Sequence, residues 1–275
     1  MAFSVNTNAG AFAALQNLNQ TQSELRTTQT QINTGLRVSS AKDDAATFAI
    51  AQTLRGEVSG LQAVSSSLDR AQSTLDVAIA AGEAVSDLLI ELKEKAVAAK
   101  DSGLDTSSRD SLNDDFQQLR DQITSIVQNA EFNGTNVVEN SGDAVVAITN
   151  DTGANTITIA AQDLSLGGAN VTIGSTQSIG TQDAASVAVA NIESSIQNVN
   201  TALSALGSGS SRIELQQTFV NQLSDAIEVG IGNLVDADLA ETSANLQSLQ
   251  VRQQLGLQAL SIANQAPSTV LGLFR

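Results

Sequence analysis

The run LQAVSSSLDRAQSTL, residues 61–75, places leucines at positions 61, 68 and 75, seven residues apart. A seven-residue spacing of apolar side chains is typical of a helix that packs along one stripe against another helix. Apolar positions with helical spacing extend this run from Leu54 to Ala96, with Gly82 as the fourth heptad position, and Asp101-Ser102-Gly103 indicates the helix end. The stretch therefore predicts one long helix.

Similar spacing occurs towards both ends of the chain. Leu18, Leu25 and Ile32 are seven apart near the start, and Leu206, Ile213 and Val220 are seven apart in the second half. The second series crosses Gly207-Ser208-Gly209-Ser210-Ser211, where two glycines inside a helix would cost roughly 2 kcal/mol, as expected of a linker. Because the heptad phase survives across it, residues 207–211 favour a continuous, locally weak helix over a break.

Three further helix boundaries follow from the same reasoning. A helix is predicted from about Ser107 to Ala130, another begins near Gln182, and the last carries Leu239 and Leu246 and ends before Pro267. Proline lacks the backbone N–H that a helix interior needs, which is the reason for placing the end there.

The middle of the chain has a different pattern. Phe132-Asn133-Gly134 is a turn signal, and short β-type runs follow at 137–138, 145–148, 156–159 and 171–173, separated by Gly, Asn and Asp. These runs predict β-hairpins over about 134–175. The fold class is therefore mainly α: a long helical rod or coiled-coil bundle formed by both terminal regions, with a small β-hairpin region in the middle.

Composition excludes several classes of function. The chain has 275 residues, a formal net charge of -16, and no Cys, His, Trp or Tyr. An acidic surface repels phosphates and anionic lipids, so we expect neither a nucleic-acid nor a membrane partner. Without thiols or imidazoles, we expect no catalytic residues, no metal site and no cofactor. The paired acids Asp43-Asp44, Asp114-Asp115 and Asp236/Asp238 are interpreted as helix-end or solvated charges rather than cation ligands.

Both extremities are almost free of charge. No charged side chain precedes Glu24, and only Arg252 lies between Glu241 and Arg275. Exposed helices normally carry charge, so these ends indicate surfaces that other copies cover, with disordered tails as the alternative. The predicted subunit-interface residues are the apolar ones on these ends: Phe12, Leu15, Leu18, Leu25, Ile32, Leu246, Leu249, Leu257, Leu260, Leu271, Leu273 and Phe274.

No targeting segment is recognisable in the sequence. The first basic residue is Arg26, so the start lacks the positive region of a secretory signal, and no apolar run approaches the ~18 residues that span a bilayer. These observations predict a soluble chain that does not use the general secretory route.

Several segments resemble bacterial flagellin. NTNAGAFAALQNLNQTQ (6–22) is similar to the family's N-terminal helix, SSAKDDAATFAIA (39–51) to its signature, and Phe132-Asn133-Gly134 to the turn after its third helix. VDADLAE (235–241) and LSIANQAPSTVLGLFR (260–275) are similar to its C-terminal signature and end. The resemblance covers both terminal thirds in the family's order, whereas about 134–181 carries no family signature.

The resemblance implies a filament subunit with two layers. Residues 1–42 and 236–275 would form an inner domain of terminal helices lining a channel, and residues 43–235 an outer helical rod domain that includes the hairpins. It also implies secretion through the flagellar type III apparatus to an extracellular filament. Its partners would be copies of itself in an open helical homopolymer, cap and hook-junction proteins at the filament ends, and an export chaperone.

One position departs from the family pattern. Family members that a mammalian Toll-like receptor senses carry an arginine in one rod helix. When the segment around Lys93-Glu94-Lys95 is aligned with that helix, Glu91 stands at the position of the arginine. The reversed charge predicts weak or absent sensing.

Two functions from different classes remain at this point. The first is a structural subunit that polymerises into the flagellar filament for swimming motility. The alternative is a secreted coiled-coil adhesin or immune-ligand module acting as a monomer. Removing both ends would separate them, because a binding module keeps its activity and a filament subunit loses assembly.

Overall fold

The computed structural model describes residues 7–272, with side chains described for 7–265. Its helices are α1 (Ala9–Thr34), α2 (Ala45–Ala99), α3 (Thr106–Asn129), α4 (Gln182–Val235) and α5 (Leu239–Gly272). Its strands are β1 (Glu131–Phe132), β2 (Thr135–Asn136), β3 (Val145–Ile148) and β4 (Thr156–Ile159). The mainly α fold with a small hairpin region in the middle is therefore confirmed.

The chain forms two compact units. The terminal unit comprises residues 1–56 and 226–275, and the central unit comprises residues 57–225. Both chain ends therefore contribute to the same unit, and α2 and α4 each contribute residues to both units.

The central unit has a core of large apolar side chains from three helices. The leucines that predicted α2, at 61, 68 and 75, are all buried, as are Leu206, Ile213 and Val220 on α4. From α3, Phe116, Ile123 and Val127 are buried too. The heptad pattern thus marks the core, and residues 207–211 lie inside α4, which confirms the continuous helix.

Two glycines in the central unit make room for bulky neighbours. A Cβ on Gly82 would lie 2.7 Å from Leu203 Cδ2, and a Cβ on Gly209 would lie 2.9–3.1 Å from three side-chain carbons of Ile159. The heptad break at Gly82 is therefore a place where a leucine enters. Gly209 lets the hairpin strand β4 pack closely against α4.

The two hairpins are antiparallel. β1 pairs with β2 across Asn133 and Gly134, whose φ values of 51° and 82° give the left-handed turn that this dipeptide favours. β3 pairs with β4 from Val145–Ile159 to Ile148–Thr156. The predicted turn and the predicted runs 145–148 and 156–159 are confirmed.

The predicted strands at 137–138 and 171–173 are wrong. Both runs are buried at their valines, but their backbone groups bond elsewhere than in a ladder. The Thr172 N–H donates to Ser195 Oγ on α4 at 2.9 Å, and the Val138 carbonyl accepts from the Leu164 N–H in an irregular segment at 2.8 Å. Val171 forms only an isolated parallel bridge with Leu166, so apolar burial gave these runs a strand-like composition without a strand ladder.

The predicted end of α5 is also wrong. The helix does not stop before Pro267 but continues to Gly272. Proline at position 267 removes the hydrogen bond that the carbonyl of Ala263 would otherwise accept within the helix. That carbonyl instead accepts a hydrogen bond from the Asn8 side chain, at 2.6 Å, so the lost bond is replaced.

Candidate assembly surface

In the terminal unit, α1 and α5 form an antiparallel pair. Position 10 lies next to 263, Leu18 next to Gly256, and Leu36 forms an antiparallel bridge with Asp236. As one residue number rises, the other falls, which fixes the antiparallel direction. The side of α5 that faces α1 carries Thr242, Leu249, Gly256 and Ala263, each seven residues from the next. We call this stripe the seam.

The seam consists mostly of small residues. A Cβ on Gly256 would lie 3.3 Å from Leu18 Cδ1, so the leucine of α1 packs directly on the backbone side of α5. Leu18, Leu25 and Thr28 are the buried residues of α1, and Thr242 and Leu249 are buried on α5. Two helices can pair closely through such a stripe while using few large apolar side chains.

The other apolar residues of α5 remain exposed. Val251, Leu255 and Ile262 lie on the side of α5 opposite the seam, and their side chains are 55%, 57% and 69% exposed. Leu239 and Leu257 are also about half exposed, as is Ile50 elsewhere in the unit, and Val229 is about two-thirds exposed. We call Val251, Leu255 and Ile262 the outer stripe.

The predicted interface residues divide into three groups. Leu18, Leu25 and Leu249 are buried within the chain; Ile32, Leu246 and Leu260 are partly buried; Phe12, Leu15 and Leu257 are exposed. The side chains of Leu271, Leu273 and Phe274 lie outside the described residues. The sequence did not separate side chains that hold α1 against α5 from those left uncovered, and it missed the outer stripe. The sequence did carry a signal for the outer stripe, because apolar residues occur on two opposite sides of α5, a helix with little charge.

The terminal unit is closed by a backbone link between two segments of the chain. The Arg37 and Val38 N–H groups donate to the Val235 carbonyl at 2.7 and 3.2 Å, and the Ala237 N–H donates to the Gly35 carbonyl at 2.9 Å. Gly35 ends α1 in the left-handed region, with φ 71°. A small core of Val38, Ala51 and Val235 packs beside this link. The link holds the end of α1 beside the start of α5.

The acids next to this link are occupied by hydrogen bonds. Asp43 Oδ2 accepts from the N–H and hydroxyl groups of both Ser39 and Ser40, at 2.9–3.1 Å, and these bonds lower the pKa of Asp43. Asp44 caps α2 through the Thr47 hydroxyl and N–H, which lower its pKa as well. The segment that resembles the family signature is thus a loop and helix start held by carboxylates.

One member of each remaining acid pair has a similar structural partner. Asp238 caps α5 by accepting from the Ala240 and Glu241 N–H groups at 2.8 and 3.2 Å. Asp115 pairs with Lys95 at 2.8 Å, and this hydrogen bond raises the pKa of Lys95. Over the part of the chain that the structure describes, no three His, Cys, Asp or Glu side chains come together as a metal-binding group.

Glu91 lies on α2 within the central unit. Its side chain is exposed, one helical turn before Lys95. Lys93 forms a salt bridge with Glu193 at 2.9 Å.

Among residues 7–272, no helix combines the length and the hydropathy that crossing a bilayer requires.

These features define a class: a mainly helical structural protein that leaves large apolar side chains uncovered at its ends, as proteins that associate with partners do. The model of the bacterial flagellin N-terminal helical region matches residues 5–143, and that of the C-terminal helical region matches residues 189–274. The chain belongs to the bacterial flagellin family.

Individual relatives agree over the full length. The chain is 47% identical to flagellin FljM of Caulobacter vibrioides, with 99% of this chain and 98% of the relative covered. It is 34% identical to a flagellin of Brucella melitensis and 32% identical to flagellin C of Rhizobium meliloti, with 99% of both chains covered in each case.

Among solved structures, a protein described as a flagellar hook-associated protein from Vibrio parahaemolyticus shares the fold, with a TM-score of 0.58 and 14% identity. The match covers 70% of this chain and 100% of that one. The chain is therefore a short flagellin, a structural subunit that polymerises into the bacterial flagellar filament for swimming motility. Nothing in these findings favours the monomeric adhesin or immune-ligand alternative.

Proposed function

We propose that the terminal helices form the inner layer of the filament and that the apolar side chains left exposed there make the subunit contacts. The outer stripe carries this proposal, because three large apolar side chains on one side of a helix are more than half exposed. In this assignment residues 1–42 and 236–275 line the channel, and residues 43–235 form the outer rod. The compact terminal unit extends slightly further, to residue 56 and from residue 226.

The predicted interface residues then take two roles. Leu18, Leu25 and Leu249 hold α1 against α5, so that each subunit presents a preformed helix pair. Phe12, Leu15, Leu257 and the outer stripe contact neighbouring copies, and Leu271, Leu273 and Phe274 are proposed to join them. The partly buried Ile32, Leu246 and Leu260 lie at the edge between the two roles.

Burial of apolar surface supplies the driving force for assembly. Burying an exposed Val, Leu, Ile or Phe side chain is worth about 1.5–3 kcal/mol. Association costs on the order of 4–15 kcal/mol in lost freedom of motion, so several such side chains must be covered at once. Head-to-tail contacts form a closed ring only when the rotation between neighbouring copies adds up to a full turn. When it does not, further copies can always be added and growth is open-ended.

Family membership supports a proposal for the remaining partners and the destination. We propose secretion through the flagellar type III apparatus to the extracellular filament, an export chaperone on the C-terminal helix, and cap and hook-junction proteins at the filament ends. The shared fold with the Vibrio parahaemolyticus protein supports the hook junction, since similar helical subunits can stack end to end. We propose no catalytic role, and no nucleic-acid or membrane partner.

The charge at Glu91 bears on a separate interaction. We propose that the exposed carboxylate opposes binding by a receptor that recognises an arginine at this place in other members. Replacing Glu91 by Arg should raise receptor activation by purified subunits, and Glu91→Gln should have a smaller effect. Strong activation by the unmodified chain would contradict this.

The assembly proposal is tested by changing the outer stripe without changing the seam. The variant Val251→Asn/Leu255→Asn/Ile262→Asn should fold but should fail to form filaments in electron micrographs under conditions where the unmodified chain polymerises. The matched control is Ser243→Asn/Gln250→Asn/Ser261→Asn, which changes three exposed polar residues of the same helix that lie off the outer stripe and should leave assembly intact. Normal filaments from the first variant would overturn the proposal.

A further inference from the structure

One side chain joins the start of α1 to α5. Asn8 caps α1: its Oδ1 accepts from the Ala11 N–H at 3.0 Å, and its backbone carbonyl accepts from the Phe12 N–H at 3.1 Å. Its Nδ2 donates to the Ala263 carbonyl on α5 at 2.6 Å. Since an N–H requires an acceptor and a carbonyl requires a donor, the amide can lie only this way round.

The carbonyl that Asn8 binds is special within α5. In a regular helix each carbonyl accepts from the N–H four residues later, and for Ala263 that residue is Pro267, which has no N–H. Pro267 is the single proline of the chain. The helix interior of α5 therefore offers one carbonyl without a helical donor, and that carbonyl is the one facing Asn8.

The backbones approach closely at this point. A Cβ on Gly10 would lie 3.5 Å from Asn8 Oδ1 and 3.9 Å from Ala263 Cβ. The short reach of an asparagine side chain suffices because Gly10 and Ala263 keep the two helices close.

The seam alone specifies the pairing weakly. Thr242, Leu249, Gly256 and Ala263 recur every seven residues, so a shift of one heptad would again bring small or apolar residues opposite α1. At one end of the pair the backbone link between Gly35 and Ala237 aligns the two helices. At the other end, a directional hydrogen bond to a single available carbonyl distinguishes the registers. A polar residue at one position of a helix pair is a known means of fixing register.

We propose that Asn8 is a positioning residue for filament assembly, and that Pro267 creates the acceptor that Asn8 recognises, so that together they hold the register of α1 against α5 at the end of the pair away from the backbone link. A pair in the wrong register would present the outer stripe at the wrong height to its neighbours. The inference rests on the proposed role of the terminal helices in subunit contacts.

The register can be read by cross-linking, because the chain has no native cysteine. In a Gly10→Cys/Ala263→Cys reporter the two Cβ atoms are placed 3.9 Å apart, within the range of about 3.5–4.5 Å that a disulfide needs. A Gly10→Cys/Gly256→Cys reporter forms a disulfide only if the pair slips by one heptad. Each reporter is oxidised during assembly, and both the polymer and the unassembled fraction are analysed by peptide mass spectrometry.

Adding Asn8→Ser retains an oxygen to cap α1 but removes the amide donor. We expect it to raise the yield of the slipped 10–256 disulfide relative to the 10–263 disulfide by about fivefold, the ratio that one neutral hydrogen bond sustains. Pro267→Ala restores a helical donor to the Ala263 carbonyl and should have a similar effect. In the Pro267→Ala background, Asn8→Ser should add little further change, because its acceptor is already taken.

An unchanged ratio in Asn8→Ser would overturn the inference, as would effects of Asn8→Ser and Pro267→Ala that simply add. Filaments of the 10–263 reporter that carry no 10–263 disulfide would overturn it too, while leaving the assembly proposal intact. Failure of the outer-stripe variants to affect assembly, with the 10–263 disulfide present, would instead count against the assembly proposal alone.

Discussion

The central and terminal units use their large apolar side chains differently. In the central unit, Leu68, Leu75, Phe116 and Leu206 are fully buried among three helices, although Leu215 and Phe219 on α4 remain exposed. In the terminal unit, α1 and α5 pair through a seam of mostly small residues, and the outer stripe remains exposed. The central unit is therefore stabilised by its own core, whereas under the assembly proposal part of the stabilisation of the terminal unit comes from neighbouring copies.

The largest expected effect is on the core of the central unit. Phe116→Ala should lower the free energy of unfolding by about 3–5 kcal/mol, because it removes a fully buried ring and leaves a cavity. Urea unfolding followed by circular dichroism measures this. The matched change in the terminal unit, Leu255→Ala, should alter the stability of the unassembled chain by less than about 0.5 kcal/mol, since that side chain is mostly exposed. Equal losses in the two variants would remove the distinction between the units.

A second prediction concerns the close packing of the hairpin on α4. Gly209→Ala should destabilise the chain by about 1–3 kcal/mol, because the added Cβ would overlap three carbons of Ile159. Gly207→Ala provides the control two residues away: its Cβ meets nothing within 4 Å, so it should stabilise the helix by about 0.5–1 kcal/mol. Both are measured by thermal unfolding. The two variants should change the stability in opposite directions. A change in the same direction would show that the packing of Ile159 does not need a glycine at position 209.

A third prediction concerns pH and the loop beside the terminal unit's backbone link. Because hydrogen bonds from Ser39 and Ser40 hold the pKa of Asp43 below its ordinary value of 3.8, its stabilising contribution is present above that pH. It is lost as the pH falls through the lowered pKa. Hydrogen exchange at the Ser39 and Ser40 amides should therefore accelerate at the acid end of this range.

Asp43→Asn should abolish that acid dependence at Ser39 and Ser40. Lys42→Gln serves as the control, because it changes the charge at the neighbouring position but leaves the four donors to Asp43 in place. Acid dependence that persists in Asp43→Asn would assign the effect to another group.

The smallest effect is expected at the surface of the central unit. The Lys95–Asp115 pair is 2.8 Å apart, but its side chains are 32% and 54% exposed, so water and salt screen it. A double-mutant cycle with Lys95→Met and Asp115→Asn should give a coupling energy below about 1 kcal/mol that shrinks further in added salt. A larger or salt-independent coupling would place part of the stability of this unit outside its apolar core.

The heptad positions of the central unit could be predicted because large apolar residues and a regular spacing coincide there. The helix through Gly207 and Gly209 followed from the same phase, with Leu206, Ile213 and Val220 all buried. The seam on α5 was missed because its members, such as Gly256 and Ala263, do not stand out as apolar. A stripe of leucines is visible in a sequence, whereas a stripe of small residues is visible only beside its partner helix.

One helix end and one strand assignment were wrong for a related reason. Local rules end a helix before Pro267 and assign a strand to 171–173, since each rule considers only the segment itself. In the fold, a distant side chain supplies what the segment lacks: Asn8 donates to the carbonyl that Pro267 leaves free, and Ser195 accepts from Thr172. Such partners, 255 and 23 residues away along the chain, lie beyond any local pattern.

The most direct test of the central claim is thiol labelling of a single cysteine introduced at Leu255, in a chain that has no cysteine of its own. Leu255→Cys should react readily with a maleimide in the unassembled chain and slowly in the filament, while Leu249→Cys, buried in the seam, should react slowly in both. A Leu255→Cys thiol that reacts equally fast before and after polymerisation would contradict the account.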